Sequence, residues 1–150
     1  MVDYCKDKKQ IIRLWQQAFG DSDEEILYFI DNVKDAKCLA YFVGSETVSM
    51  MYLVDCIADG INASYIYAAC TLDKYKGRGY MSKLIEHCID GGSTVCLIPA
   101  EDSLINFYSS RFISRKIAIE SIEFEQTPEI IEYLFEGYNL SSPTALISEK

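Results

Sequence analysis

The sequence predicts one α/β domain, of α+β or mixed-sheet type, spanning 1–150. Three observations carry that expectation. Apolar residues recur at helical spacing up to about residue 33, and apolar, β-favouring runs begin at 37. The remainder then alternates strand, loop, helix, strand, helix and strand. The length of 150 residues, with 49% apolar and 25% charged side chains, suits a single core of ordinary composition.

The elements follow in order. In "KKQIIRLWQQAFG" (8–20) the apolar positions 11, 12, 14, 15, 18 and 19 form one helical stripe that ends at Gly20. "DSDEEILYFIDNVKD" (21–35) restarts a helix, with Ser22 as N-cap and Glu25 at the capping-box spacing. Asp23, Glu24 and Glu25 fill its first turn, where the helix dipole favours negative charge. "KCLAYFV" (37–43) and "TVSMMYLVD" (47–55) are strands joined by a hairpin turn at "GSE". "DCIADGINA" (55–63) is polar and contains glycine, which predicts a loop, and "SYIYAACT" (64–71) reads as a strand. "MSKLIEHCI" (81–89) has helical period, "GGS" (91–93) breaks the chain, and "TVCLIPA" (94–100) reads as a buried strand. "EDSLINFYSSR" (101–111) predicts a short helix with Asp102 or Ser103 near its start. "FISRKIAIESIEFE" (112–125) gives one or two strands, and "TPEIIEYLFEGYN" (127–139) a last helix with Pro128 in its first turn. The tail, "LSSPTALISEK" (140–150), is expected to be loosely held. The chain has no internal repeat or low-complexity tract.

Composition narrows the function classes. A net charge of −9 and a pI near 4.6 argue against non-specific nucleic-acid binding and are compatible with a cationic substrate. No run approaches the roughly 18 apolar residues that span a bilayer, and the start, "MVDYCKDKKQ", lacks the apolar core of a secretory signal. The expectation is therefore no membrane partner and a cytoplasmic location. The six cysteines form no CxxC pair, which favours buried reduced thiols over a disulfide framework or a zinc site. The single histidine, His87, leaves little material for a His-based metal site or a Ser-His-Asp triad and reads as structural or solvent-facing.

Against this acidic background, "YKGRGYMSKL" (75–84) stands out. Lys74, Lys76, Arg78 and Lys83 surround Gly77 and Gly79, between a predicted strand and a predicted helix. Free N–H groups at a helix N-terminus attract anions, and glycines let a phosphate approach the backbone. A pyrophosphate is a good candidate ligand. The stretch is not a Walker A loop, and Ser82 stands where a Rossmann fingerprint needs its third glycine. A surface turn with solvated cations, or a protein binding ATP or NAD, are the other readings of these residues.

"TLDKYKGRGYMSKLIEH" resembles the central motif of the GCN5-related N-acetyltransferase superfamily, Arg/Gln-x-x-Gly-x-Gly/Ala, which holds the pyrophosphate of acetyl-CoA. Lys76 falls on the Arg/Gln, Gly79 on the central glycine and Met81 on the last Gly/Ala. "LIPAEDSLINFYSSRFISR" resembles the superfamily's later strand–helix segment through Phe107 and Tyr108, but Arg111-Phe112-Ile113 lacks the usual glycine. "LWQQAFGDSDEEILYF" is similar to a bacterial subgroup whose members are often longer. The resemblance implies a mixed, mostly antiparallel sheet flanked by helices, with two central strands splayed apart. It implies acetyl-CoA as cosubstrate, held by Lys76, Gly77, Arg78, Gly79, Tyr80, Met81 and Ser82, with its arm along Ala69, Cys70 and Thr71. A small-molecule or protein amine would be the acceptor, and Tyr108 the general acid that protonates the departing thiolate. An ordinary phenol titrates near ~10 and a thiol near ~8.5, and the transfer is expected to be easy.

The base is unassigned, because neither "SYIYAACT" nor "TVCLIPA" contains Asp or Glu. Glu46, Asp55, Glu101 or a chain of waters are the options. Cys70 and Cys96 would lie near the thioester, yet neither has a histidine nearby in sequence to activate it, so buried structural thiols are expected. Acceptor walls are expected from about 19–35, rich in Asp and Glu, and from 55–63, which points to a cationic acceptor. The alternative is a non-catalytic acyl-CoA-binding or regulatory module. The sequence leaves the oligomeric state open, a dimer included.

Overall fold

The computed structural model describes residues 1–149. They form β1 (Val2–Tyr4), α1 (Lys8–Phe19), α2 (Asp23–Asn32), β2 (Ala36–Val43), β3 (Glu46–Ala58), β4 (Ile61–Thr71), α3 (Tyr80–Asp90), β5 (Val95–Leu97), α4 (Ile105–Ser109), β6 (Ile113–Ile117), β7 (Ile122–Glu123), α5 (Pro128–Leu134) and β8 (Ala145–Ser148). The sheet runs β1-β2-β3-β4-β5-β8-β6, with β7 pairing the far end of β3. Only β4 and β5 are parallel neighbours. The chain is thus a mostly antiparallel mixed sheet flanked by helices.

Local chemistry sets the helix ends. The Asp7 carboxylate accepts from the N–H groups of Lys9 and Gln10 to open α1, and Gly20 closes it in the left-handed region (φ 73°). Ser22 and Glu25 form the full capping box of α2, as the spacing predicts. Residues Thr47–Val54 of β3 are all buried, so this central strand is covered on both faces. Met50, Tyr52 and Val54 join the core under α1 and α2, where Trp15 and Phe29 pack edge to face with centroids 5.2 Å apart. Met51 and Leu53 join Leu84, Ile85 and Tyr108 on the other face. This is the two-residue alternation of a strand between two layers.

Two expectations are corrected. Residues 55–63 are not a loop: β3 continues to Ala58 and β4 starts at Ile61, joined by Asp59 and Gly60 at φ 52° and 77°. Asp-Gly with both residues left-handed is a two-residue hairpin turn, and the polarity of its flanks hid it. The tail is not loosely held, because Ala145, Leu146 and Ile147 are fully buried in β8, inserted between β5 and β6. The edge strand β1 has no counterpart in the sequence reading.

Candidate functional site

β4 and β5 pair only at Ser64–Val95 and Tyr65–Cys96. Beyond that point β4 runs on to Thr71, bonded to β3 on one side and to no strand on the other. The expected divergence of the two central strands is therefore present. A bulge marks the same place. Met50 pairs with Cys70 but Tyr52 pairs with Tyr67, so Ala68 and Ala69 together oppose Met51. Ala68 sits at φ 55°, a conformation a side chain rarely adopts, and it turns main-chain groups out of the ladder.

Two cavities meet here. The larger, about 620 Å³, is lined by Ala69, Cys70, Thr71, Lys76, Gly77, Gly79, Tyr80, Met81 and Ser82 and closed by Phe107, Tyr108 and Arg111. The smaller, about 180 Å³, lies between the diverging strands under Trp15, Phe19 and Tyr138. Ala69, Leu104 and Tyr108 line both. Tyr108 is only 9% exposed, and its hydroxyl has no hydrogen-bond partner among the described residues. Burial pushes its phenol up to about 12.

The expectation of easy transfer is corrected by the order of the two ordinary pKa values, and burial widens the gap. A full proton transfer to a thiolate whose acid titrates near ~8.5 is already uphill from an ordinary phenol, and from Tyr108 it costs about 5 kcal/mol. What the group can do well is donate a hydrogen bond to charge that develops beside it.

The glycine loop faces the larger cavity. Gly77 and Gly79 are left-handed (φ 77° and 80°), and a Cβ on either would meet nothing within 4 Å. Gly79 caps α3 without any side-chain hydrogen bond, and the first in-helix bond runs from Lys83 N–H to the Gly79 carbonyl. The N–H groups of Tyr80, Met81 and Ser82 are thus left without helical partners. The Met81 side chain packs against the core around α3. Lys76 lines the cavity but is paired with Asp73 at 2.9 Å. Arg78 stacks on the Tyr75 ring at 5.2 Å and is not among the lining residues.

Arg111 is a lining residue the sequence reading missed. Its guanidinium lies 3.7 Å from the Phe107 ring centroid, and Nε donates to Ser82 Oγ at 2.6 Å. Phe112, beside it, holds φ 69°. The turn expected to carry a glycine keeps the glycine-like conformation without the glycine.

The proposed bases fare unequally. Glu46 is engaged by Arg13 and by the Tyr75 hydroxyl, and these hydrogen bonds, Arg13 first, hold its carboxyl below the usual range. Asp55 and Glu101 are exposed and line neither cavity. Glu136, in the segment after α5, lines the smaller cavity and was not anticipated. Of the expected acceptor walls, Phe19 lines this cavity and nothing from 55–63 does. Cys70 is pushed up to about 12 by burial, against a smaller opposing pull from Lys76. Cys96 is raised first by its hydrogen bond with Cys56, 3.6 Å away, then by burial. Neither thiol is activated, as expected. His87 is exposed on α3, and the described residues contain no group of three or more potential metal ligands.

The arrangement has the fold of the GCN5-related N-acetyltransferases. The chain superposes on Tetrahymena GCN5 with a TM-score of 0.61 at 8% identity, covering 97% of this chain and 94% of that one. Against Escherichia coli ElaA the TM-score is 0.60 at 15% identity, covering 99% and 100%. Other matched chains are longer: this one spans 41% of a candidate acetyltransferase from Pyrococcus horikoshii, with a TM-score of 0.59 at 16% identity over 73% of this chain. At these identities the shared property is the fold. No protein-family model and no curated protein matches the sequence.

Proposed function

We propose that this protein is an acetyl-CoA-dependent N-acetyltransferase. The observation that carries the reading is the position of Tyr108 at the junction of two cavities, one of them facing an uncapped helix N-terminus. The free N–H groups of Tyr80, Met81 and Ser82, with Lys76, suit the pyrophosphate. Main-chain groups of Ala69, Cys70 and Thr71, on the stretch of β4 with no strand beside it, suit the amides of the pantetheine arm. Gly77, Gly79 and Tyr80 shape the loop, and Arg78 contributes charge at its rim.

In this reading the amine enters from the smaller cavity as its ammonium and loses a proton to water, and the nitrogen lone pair so freed forms a bond to the thioester carbonyl carbon. Main-chain N–H groups at the Ala68–Ala69 bulge, where the ladder is interrupted, would donate to the oxygen that gains charge. The C–S bond then breaks, with the electron pair leaving on sulfur. Tyr108 donates its hydrogen bond to that sulfur, and the proton lost by the attacking nitrogen balances the thiol. An amine that titrates near ~10.4 is mostly ammonium at neutral pH, so the small neutral fraction is what reacts.

Calorimetric titration with acetyl-CoA, with ATP and NAD as controls, tests the reading. The expected result is selective micromolar binding of acetyl-CoA, followed by amine-dependent release of free thiol. Binding with no thiol release for any amine would move the protein to the acyl-CoA-binding reading. Preference for ATP or NAD would overturn both.

A further inference from the structure

Resting on the acyltransfer reading, we propose that the acceptor is a small primary amine, an ammonium group on an apolar or aromatic body, and that Glu136 selects it. The smaller cavity has aromatic walls, including Trp15, Phe19, Tyr67 and Tyr138, and Glu136 is the one formally charged side chain among its lining residues. No Lys, Arg or His lines it. Glu136 forms no ion pair among the described residues.

Further negative charge bears on the same wall. Asp21 accepts a hydrogen bond from Trp15 Nε1 at 2.8 Å. Tyr133 packs behind the lining residue Tyr67 with ring centroids 5.9 Å apart, and its phenol is raised by burial first and also by the charges of Asp21, Glu25 and Glu136; Asp21 acts on Tyr67 too. Carboxylates from two separate segments, the start of α2 and the stretch after α5, thus put the same sign of charge beside an aromatic cavity. An ammonium gains from Glu136 and from the ring faces, whereas an anionic or zwitterionic acceptor brings a carboxylate into the same field.

The segment that carries Glu136 is anchored on both sides. Its own N–H bonds the Tyr133 carbonyl at 3.2 Å, Gly137 turns the chain at φ 90°, and Asn139 N–H reaches the Ala100 carbonyl at 2.6 Å. Ser141 N–H then bonds the Asp102 carboxylate at 3.2 Å. The strap therefore runs from α5 to the exit of β5, and Glu136 stands at the cavity by construction. A small-molecule acceptor fits an opening of about 180 Å³ with Leu97, Ile98 and Leu104 among its lining.

The test uses the intact chain with saturating acetyl-CoA and three acceptors: phenethylamine, phenylalanine and a lysine-containing peptide. The expected kcat/KM for phenethylamine is at least tenfold above that for the other two. Glu136→Gln should raise the phenethylamine KM at least tenfold, with kcat within threefold and acetyl-CoA affinity unchanged. Glu136→Asp should recover part of the loss. Calorimetric titration of phenethylamine into the CoA-saturated protein reads the same preference without turnover. An unchanged KM and affinity in Glu136→Gln, or preference for phenylalanine or for the peptide, would overturn the proposal. Failure of wild-type protein to bind acetyl-CoA at all would instead remove the acyltransfer reading, and this inference with it.

Discussion

Replacing Tyr108 by Phe and Tyr65 by Phe removes one hydroxyl from each of two buried tyrosines that line the same cavity, yet the two should behave differently. The Tyr108 hydroxyl makes no hydrogen bond to a described residue, and its ring stays packed against Phe107 at 5.1 Å. Deleting it removes no internal bond, so stability should change by less than about 0.5 kcal/mol. The Tyr65 hydroxyl donates to the Leu134 carbonyl at 2.8 Å in a buried setting. Its loss strands that carbonyl and should cost about 1–3 kcal/mol. At roughly 3 °C per kcal/mol for a chain of this size, the melting temperature should fall by about 3–9 °C. Catalysis should move the other way. If Tyr108 donates to the departing sulfur, Tyr108→Phe should lower kcat by about 10²–10³, the usual loss for one donor aimed at developing charge, with acetyl-CoA affinity intact. Thermal melts, acetyl-CoA titration and initial rates of thiol release measure the three quantities. A Tyr108→Phe variant that retains more than a tenth of wild-type kcat would refute the role. A variant as destabilised as Tyr65→Phe would show Tyr108 to be a structural residue.

Alkaline pH should unfold the domain cooperatively. Tyr52, Tyr65 and Tyr108 are all raised, chiefly by burial, so their stabilisation is fully present below ~10. Above that the unfolded chain ionises first, and stability falls by about 4 kcal/mol per pH unit for the three together. Phenolate absorbance should therefore rise together with loss of far-UV circular dichroism; smooth titration near pH ~10 in a chain that stays folded would contradict this. Lys76→Glu should weaken acetyl-CoA binding at least tenfold and flatten its salt dependence, while Arg78→Glu, whose wild-type side chain lies on Tyr75, should change it less than threefold. Equal effects, measured by calorimetry at two salt concentrations, would refute that division. Leu146→Ala should cost about 2–5 kcal/mol in urea denaturation, as for a core leucine, because Leu146 is fully buried; a loosely held tail would show almost no loss.

Local signals made the helices and the anion loop legible. Ser22 with Glu25, and Gly20 after the apolar stripe, specify their caps through nearest-neighbour chemistry. Gly77 and Gly79 need only their own left-handed backbone to expose the start of α3. What escaped depends on distant partners. β8 is four residues long and becomes a strand because β5 and β6 leave a place between them. Arg111 belongs to no motif of its own, and it reaches the cavity through a turn that Phe112 makes without the glycine. Glu136 carries no local signal, because it lies far along the chain from the central strands and from Glu46, Asp55 and Glu101, and only a strap from the end of α5 brings it to the cavity.

The gap between β4 and β5 has a local cause on each side. On β4 the bulge at Ala68 and Ala69 bends the strand just after its last pairing with β5. On β5 the pairing with β4 ends at Cys96 and the strand itself at Leu97, two residues before Pro99, which has no N–H to donate to a neighbouring strand. Both devices lie beyond the last β4–β5 pair, where the two edges separate. β8 makes this stable, because it pairs with the other side of Cys96 and Leu97 and keeps so short a strand in the sheet. The far half of β4 is then left with backbone polar groups that no strand satisfies on that side, and buried backbone groups are rarely left unpaired. An extended ligand carrying its own amides would complete the ladder, which is why the same interruption that opens the smaller cavity also suits β4 to receive a pantetheine arm.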